Sequence, residues 1–342
     1  MQQFYKNKIL ERFASIQPNK VSLKQLTVFG KSLTPSKILS SANHVKRELT
    51  VRLSHRIRSF QQIPFIVGSN PDIQMVYGLY WDAFERFRNF PEIETHQDNR
   101  NFCEMLTKTL QMHRLVIPHM ITGLADAAQH ISPAEVDALM VELISSRIGR
   151  RVLAEQHISL TMNAKSGVTI GIVNTKCVAH HVIRKVVSTL SEQYFDQHGK
   201  SAPKVVIDGD LEANFTYIDR HIEFIMYEIL KSAFKAGKES QDVRVTIGRD
   251  HNHLTFRISS PAPPEVPCNK VWSWSASAKR NRDSKMYHIG QMGGSFVSAG
   301  LGMPMVKVFA LYWGGDVEVY TMPGFGSDTY VVLSTCNELE RL

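Results

Sequence analysis

The stretch HIEFIMYEILKSAFKA, residues 221–236, decides how the second half of this chain is interpreted. Its apolar residues recur at helical spacing, which predicts an amphipathic helix over about Ile218–Ala236. Four polar residues fall on one side of that helix at i, i+3, i+4 and i+7: Glu228, Lys231, Ser232 and Lys235. Such a face can line a phosphate pocket, but a solvated helix face is the more ordinary interpretation of the same spacing.

Two glycine-containing turns follow this helix. The first, AGLGMP at residues 299–304, precedes an apolar helix, where backbone N–H groups can approach a phosphate. The second is MPGFGSD at residues 322–328. Each is only a turn when taken alone, and their order and spacing after the helix carry more information than either turn. The turn residues concerned are Gly300, Gly302, Gly324, Gly326 and Ser327.

Short β-rich runs alternate with helices from about Leu160 onward, which predicts an α/β sandwich with one mixed sheet covered by helices. The predicted strands are Val168–Val173, Lys204–Ile207, Arg244–Ile247, Leu254–Ile258, Asp316–Thr321 and Thr329–Leu333. The predicted helices are Cys177–Gln197, Ile218–Ala236 and Met303–Trp313. The polar stretch Ser275–Ser298 predicts a long mobile loop.

The first half of the chain predicts a four-helix bundle of up-and-down topology. Apolar residues repeat every four positions in its first helix, at Val45, Leu49, Leu53 and Ile57. Proline and glycine clusters separate the helices. The predicted helices are Ser41–Gln62, Pro71–Phe90, Asn99–Ile117, which ends at Pro118, and Pro133–Glu155, which Ser132 caps.

The composition is that of a folded protein of about two domains. The chain has 342 residues, of which 43% are apolar. The cysteines are far apart, so no CxxC-type metal pair exists, no metal site is expected, and reduced thiols are the ordinary interpretation. No apolar run approaches the ~20 residues that a membrane-spanning helix needs. The cysteines are Cys103, Cys177, Cys268 and Cys336.

The chain is basic, with 40 lysines and arginines against 32 acids and a net charge of +8. This charge favours RNA, an anionic membrane surface or an acidic protein surface as a partner, although many organellar proteins are basic without a specific ligand. Residues 1–37 are rich in lysine and arginine and contain the single acid Glu11. They are a candidate mitochondrial import signal, with a basic surface helix as the alternative.

The order and spacing of these motifs resemble the mitochondrial protein kinases that phosphorylate the pyruvate and branched-chain 2-oxoacid dehydrogenase complexes. Those kinases belong to the GHKL superfamily of histidine kinases, gyrase, Hsp90 and MutL. The resemblance covers nearly the whole chain. Its most specific part is SRIGRRVLAEQH at residues 146–157, and further similar stretches lie at 47–53, 99–102 and 113–118.

The resemblance implies a GHKL-type fold and a mitochondrial matrix location. It divides the chain into a basic segment at residues 1–37, a four-helix bundle at 38–158 and a GHKL-like nucleotide-binding domain at 159–342. In the family, the C-terminal tail often reaches across a dimer. Because this chain stops at Leu342, we expect the family's dimer mode to be in doubt.

Several family site residues are replaced here. The family's nucleotide helix carries a general-base glutamate, a histidine four residues before it and a Mg²⁺-binding asparagine four residues after it. Glu228 occupies the base position and Lys231 is kept, but Phe224 and Ser232 occupy the other two. Phenylalanine cannot relay a proton, and a serine hydroxyl is a shorter metal ligand than an asparagine amide.

The family's adenine-binding loop is also changed. Where it has an aspartate followed by glycines, this chain has Ser260 or Pro261, depending on the alignment, and then alanine and prolines. Glu265 is the nearest carboxylate. Ser298 replaces the first lid glycine, while two later lid glycines remain. Proline has no N–H and a fixed φ, so it cannot copy the glycine conformation.

These replacements predict a pseudokinase, inactive or severely weakened, that serves as a scaffold or structural subunit of a mitochondrial assembly and needs no cofactor. The alternative is an active serine kinase of a 2-oxoacid dehydrogenase E1 subunit that uses ATP and Mg²⁺, with Ser232 and Glu265 as substitutes. A third hypothesis is an adaptor whose helical half binds lipoyl-bearing or similar acidic domains.

Overall fold

The structure is a computed structural model that describes residues 7–162, 168–236, 242–263, 266–277, 290–292, 296–298, 302–334 and 339–341. Within these ranges, a helical half precedes a half of mixed strands and helices, as the sequence predicts. The helices of the first half are α1 (Lys8–Ala14), α2 (Leu23–Lys31), α3 (Pro35–Phe60), α4 (Phe65–Gly68), α5 (Pro71–Asn89), α6 (His96–Met112), α7 (Val116–Asp126) and α8 (Pro133–Met162).

Polar caps set where several of these helices begin. Ser22 and Gln25 form a capping box at the start of α2, and Thr95 and Asp98 form another at α6. Asn70 caps α5, whose first residue is proline. These side chains satisfy N–H groups that the first turn of a helix leaves without partners, so the chain enters each helix at a defined residue.

The bundle is built around α3, which packs against both α5 and α8, while α7 packs on α5 and α6 on α8. The four apolar residues of the repeat along α3, Val45, Leu49, Leu53 and Ile57, are all buried. This confirms the predicted bundle and the face that α3 turns to its core. The buried area stabilises the bundle by roughly 25 cal/mol per Å² of apolar surface.

The third bundle helix was predicted to end at Pro118, and this is wrong. α6 ends at Met112, a single 3₁₀ turn follows at His113–Leu115, and α7 then continues to Asp126. Pro118 lies in the first turn of α7. A helix does not need the N–H groups of its first turn, so proline is accepted there instead of ending the helix.

Residues 7–37 are folded against both halves of the molecule. α1 packs on α3 of the bundle, with Leu10 fully buried, whereas α2 contacts β1 and β2 and Ser22 pairs with Leu339 in an isolated β-bridge. The predicted boundary between residues 158 and 159 also lies inside a helix, because α8 runs on to Met162 with Leu160 still buried. Whether the N-terminal segment directs import stays a prediction.

The second half has three described sheets. A five-stranded sheet has the order β3-β5-β6-β10-β9, a three-stranded sheet has the order β1-β2-β4, and β7 pairs with β8. Only β3 and β5 run parallel in the large sheet. The strands are β1 (Thr169–Ile170), β2 (Val173–Val178), β3 (Val205–Gly209), β4 (Asn214–Tyr217), β5 (Val243–Arg249), β6 (His253–Ser260), β7 (Gly290–Met292), β8 (Phe296–Ser298), β9 (Asp316–Met322) and β10 (Gly326–Ser334).

Three long helices lie in the described part of this half: α9 (Ala179–His198), α10 (Asp219–Ala236) and α11 (Gly302–Tyr312). α10 packs between α9 and α11, and both α10 and α11 contact strands of the large sheet. The predicted α/β sandwich is therefore confirmed.

Some strands differ from their predictions. The predicted strand at Val168–Val173 is interrupted: β1 covers Thr169–Ile170, a turn follows at Gly171, whose φ is +64°, and Val173 begins β2. β4 was not predicted, because four residues are too short for a clear alternating pattern. The predicted loop Ser275–Ser298 contains β7 and β8, and residues 278–289 and 293–295 of it lie outside the described residues.

The stretch at residues 146–157, the most specific part of the resemblance, lies on α8 where the two halves meet. Gln156 accepts a hydrogen bond from the backbone N–H of Ile172 at 2.7 Å and so holds the β1–β2 turn. A Cβ on Gly149 would lie 2.4 Å from the guanidinium of Arg52 and 2.8 Å from the hydroxyl of Tyr312. The stretch therefore works as a junction between bundle and sheet.

A search of the described helices for a membrane-spanning segment finds none with the length and apolar character required.

Matched leucine truncations would test the bundle core. We expect Leu53→Ala, at a fully buried position of α3, to lower the free energy of unfolding by about 2–5 kcal/mol through lost burial and the cavity left behind. Leu115→Ala, where the side chain is 45% exposed, should change it by about 0.5 kcal/mol or less. Urea unfolding followed by circular dichroism measures both. Equal midpoints for the two variants would contradict the packing described.

Candidate nucleotide-binding site

The candidate site lies where α10 and α11 meet over the large sheet. α10 keeps an apolar face of Ile222, Ile225, Ile229 and Leu230 buried, which anchors it. Because Glu228 shares this helix, its position follows from the packing of those residues.

Glu228 is a buried carboxylate, with a side chain 4% exposed. Its Oε2 lies 4.0 Å from the Nζ of Lys231, and its buried Oε1 has no hydrogen-bond partner among the described residues. A Cβ on Gly302, the first residue of α11, would lie 2.6 Å from Oε2. Glycine at 302 thus makes room for the carboxylate at the beginning of α11, and a buried oxygen without a partner is a group able to receive a ligand.

Phe224 packs where the related kinases have a histidine. Its ring centroid lies 4.6 Å from that of Phe309 on α11, and the residue is buried. His221, one turn earlier, stands edge-on to the same Phe309 ring at 5.1 Å. Phe224 therefore joins α10 to α11 through aromatic packing and cannot exchange protons with Glu228.

His221 is buried and neutral. The indole Nε1–H of Trp313 donates to His221 Nδ1 at 3.3 Å, which makes Nδ1 the unprotonated ring nitrogen. Burial and then the positive charge of Arg151 lower the pKa of His221 to about 3. The ring thus serves packing at neutral pH.

A small cavity lies between α10 and strands of the large sheet, and Ser232 and Ser260 are in its wall. Its volume is about 20 Å³, the space of about one water molecule. Ligand pockets commonly enclose roughly 300–1,000 Å³. The described lining residues are Ile229, Ser232, Ala233, Ala236, Ile258, Ser260, Val271, Met303, Val319, Ser327 and Thr329.

The structure distinguishes the two residues that could replace the adenine-binding aspartate. Ser260 is buried and lines both the cavity and an adjoining surface groove, whereas Pro261 lines the groove alone. Of the two alignments, Ser260 is therefore the one that faces the cavity. Its hydroxyl is shorter than an aspartate carboxylate and carries no charge.

The turn between β9 and β10 contributes to the same end of the site. Gly326 has a φ of +104°, and a Cβ there would lie 2.1 Å from the carbonyl oxygen of Ser260. The next residue, Ser327, lines the cavity, and its hydroxyl donates to the carbonyl of Ala262 at 2.9 Å. Gly324, with a φ of +82°, shapes the tip of the turn.

The predicted site residues therefore separate into two neighbouring groups. Glu228, Lys231 and Gly302 lie together at the beginning of α11, and Ser232 and Ser327 lie in the cavity wall. Two further predictions, Gly300 and the substitute carboxylate Glu265, lie outside the described residues.

Sequence reasoning missed Thr329, Val271 and Met303 in the cavity wall. Thr329 could have been found, because it lies two residues after Ser327 on the same strand and must point to the same face. Val271 and Met303 gave no signal, because isolated apolar residues in a loop and at a helix start are ordinary.

The described part of the cavity has room for about one water molecule, and Ser260 and Ser232 contribute neutral hydroxyls to its wall. At these two positions the resemblance implies a longer aspartate and a Mg²⁺-binding asparagine.

The structure combines a helical bundle with a mixed sheet on which helices pack, and α10, which carries Glu228, lies beside α11, which begins at a glycine. This combination is the GHKL-type fold. Comparisons with known proteins agree on a narrower group. The family described as mitochondrial branched-chain alpha-ketoacid dehydrogenase kinase matches residues 20–176.

Curated relatives match over nearly the whole chain. Pyruvate dehydrogenase kinase 2 of Saccharomyces cerevisiae is 26% identical and is covered over 85% of its length, with 97% of this chain aligned. The Arabidopsis thaliana pyruvate dehydrogenase kinase is also 26% identical, over 97% of this chain and 94% of its own. Isozyme 4 of Rattus norvegicus is 23% identical, over 97% of this chain and 85% of its own.

A mycobacterial sensor histidine kinase, MprB, is a structural match at 16% identity and a TM-score of 0.33, covering 47% of this chain and 96% of that one. The family and curated matches confirm the resemblance: the chain is similar to the mitochondrial pyruvate and branched-chain 2-oxoacid dehydrogenase kinases. The three curated relatives are mitochondrial proteins, which confirms the expected mitochondrial location.

Alanine at position 302 would test the contact between Glu228 and α11. Replacing glycine by alanine inside a helix normally stabilises it by up to about 1 kcal/mol, and we expect this for Gly78→Ala, where nothing lies within 4 Å. Gly302→Ala should instead cost about 1–3 kcal/mol, because its Cβ meets Glu228 Oε2. The cost should disappear in a Glu228→Ala background, as a double-mutant cycle of urea unfolding would measure. Additive effects would exclude the contact.

The buried His221 predicts a pH dependence of stability. Its folded-state pKa of about 3 lies below the ordinary value near 6.5, so the unfolded chain binds the extra proton and stability falls as pH drops below about 6.5. Between pH 7 and pH 5 this one residue should cost about 2 kcal/mol. In His221→Asn the amide oxygen can still accept from Trp313. The slope of stability against pH should then lack the contribution of His221.

The matched control for this pH series is His251→Gln, at an exposed position before β6. It should keep the wild-type slope in urea unfolding at each pH. If His221→Asn kept that slope as well, the histidine would not be the neutral buried group described.

Proposed function

We propose that the chain acts on a mitochondrial 2-oxoacid dehydrogenase complex as a serine kinase of the E1 subunit with a severely weakened nucleotide site. The similarity to pyruvate dehydrogenase kinases along 97% of the chain supports the kinase class and the complex as partner. The observation that carries the kinase assignment is Glu228, a buried carboxylate with a free oxygen beside the beginning of α11.

The weakness follows from the residues around that carboxylate. An adenine amino group buried without its acceptor costs about 1–3 kcal/mol, and more if the lost acceptor was charged. The serine at 232 would hold Mg²⁺ less well than an amide of greater reach, and metal and phosphate positioning supply most of the catalysis in phosphoryl transfer. Phe224 removes a group that could orient the base. Each defect multiplies the loss of rate.

A second candidate is the pseudokinase, a scaffold or structural subunit that binds no nucleotide. The cavity of about 20 Å³ favours it, because closed packing around Ser260 gains burial that an adenine would otherwise supply. Protein partners in the mitochondrial complex are common to both candidates. The net charge of +8 supports an acidic protein surface or RNA as a further partner.

Restoring the replaced residues would test the proposal. We expect Ser232→Asn with Ser260→Asp to raise affinity for a fluorescent adenine nucleotide in the presence of Mg²⁺ by about tenfold or more, since each restored polar contact is worth about 1–3 kcal/mol. Phosphate transfer from labelled ATP to E1 should be slow in the wild type, faster in this variant, and absent after Glu228→Gln.

Ser188→Asp, at an exposed position of α9, is the control for adding a carboxylate and should change neither quantity. Transfer that survives Glu228→Gln indicates a contaminating kinase. No binding and no transfer in either the wild type or the restored variant would reject the kinase and favour the pseudokinase.

A further inference from the structure

A buried polar cluster joins the end of the chain to both halves of the molecule. We call residues Leu339–Arg341 the clasp. The clasp residue Glu340 is 1% exposed, and its partner Arg52 on α3 is 2% exposed. These are charged side chains in a place that normally excludes charge, so their contacts must serve a purpose beyond surface solvation.

Arg52 holds Glu340 with both ends of its guanidinium. Nη1 donates to Glu340 Oε2 at 3.1 Å, and Nη2 donates to Oε1. The same guanidinium donates through Nε to Glu48 Oε1 at 3.3 Å and through Nη2 to the carbonyl of Asn19 at 2.6 Å. This paired geometry fixes the direction of the carboxylate as well as its position.

The backbone of the clasp adds contacts to two different segments. Glu340 N–H donates to the carbonyl of Val21 at 2.9 Å, and Val21 N–H donates to Glu340 Oε1 at 3.1 Å. Arg341 N–H donates to the carbonyl of Tyr312 at 3.0 Å, and the Tyr312 hydroxyl donates to Glu340 Oε2. The clasp therefore touches the N-terminal segment, α3 and the last residue of α11 at once.

Burial and then the charge of Glu340 raise the pKa of Tyr312 well above its ordinary value. The phenol therefore remains a hydrogen-bond donor at all physiological pH values. Gly149 on α8 leaves the space that this contact needs, since a Cβ there would meet both Arg52 and Tyr312.

α11 connects this cluster to the candidate site. Its 11 residues begin at Gly302, beside Glu228, and end at Tyr312, inside the cluster. At 1.5 Å per residue its two ends are about 15 Å apart. A helix is rigid over that length, so a displacement of one end is felt at the other.

We propose that the clasp is a conformational device that presses α11 against the bundle and thereby keeps its beginning seated on Glu228. Opening the clasp frees α11 at both ends while α3 and the rest of the bundle keep their packing. The proposal concerns the mobility of α11 and does not depend on the chain binding nucleotide or transferring phosphate.

A purely stabilising cluster would behave differently. Loss of any buried ion pair lowers overall stability and raises exchange wherever global unfolding governs it. The clasp predicts a selective effect on one helix. A second ion pair of α3 serves as the control: Arg56, one turn after Arg52, pairs within the bundle with Glu142 of α8, whose side chain is 51% exposed.

Hydrogen–deuterium exchange of the full chain, read by mass spectrometry, tests the proposal. In Glu340→Gln we expect amides of residues 302–312 to exchange about tenfold faster or more, because a hydrogen bond to a charged group is lost, while α5 exchanges as in the wild type. Glu142→Gln should change α3 and α8 only. Tyr312→Phe, which removes one hydroxyl, should give a smaller effect on 302–312 of the same kind.

Wild-type exchange over residues 302–312 in Glu340→Gln would overturn the proposal, and so would equal acceleration in all helices. If Glu340→Gln does not fold, Tyr312→Phe decides alone: faster exchange over 302–312 supports the clasp, and unchanged exchange overturns it.

Discussion

The charge of Arg52 is buried at the junction of the two halves, and the arrangement of the molecule depends on how it is neutralised. One acid, Glu48, comes from the same helix, and the other, Glu340, comes from the far end of the sequence. A buried ion of either sign is costly without its partner, so the pair favours the arrangement in which both halves are in place. Such pairs contribute specificity of arrangement more reliably than net stability.

The same junction explains why residues 146–157 carry so much of the family resemblance. Gly149 gives room to the Arg52 cluster, and Gln156 holds the turn between β1 and β2. Arg147 donates to the carbonyl of His113 within the bundle, and His157 contacts Asn99 there. The first two contacts join bundle and sheet and the last two hold the bundle together, so this resemblance concerns architecture and is silent about phosphoryl transfer.

Unlike the junction, the candidate site lacks several of the polar residues that the resemblance implies. Phe224, which packs on Phe309, stands where the resemblance implies a histidine. Likewise, serines at 232 and 260 stand where it implies longer polar groups. Burying an aromatic ring is favourable wherever it packs well, so this exchange preserves the contact between α10 and α11 while removing chemistry. Only a few side chains decide nucleotide handling. A chain can therefore align with a kinase along 97% of its length, at 26% identity, and still have a small cavity at this place.

The sequence by itself determined the helices of the bundle, the α/β character of the second half and the placement of Glu228 and Ser232 on one helix, because these follow from local periodicity. It could not predict that Pro118 lies inside a helix or that Ser260, and not its neighbour, faces the cavity, since both depend on where neighbouring elements pack. The pairing of Arg52 with Glu340 was decided only by the tertiary structure. These residues are 288 positions apart, and no local pattern relates two side chains that meet only after both halves have folded.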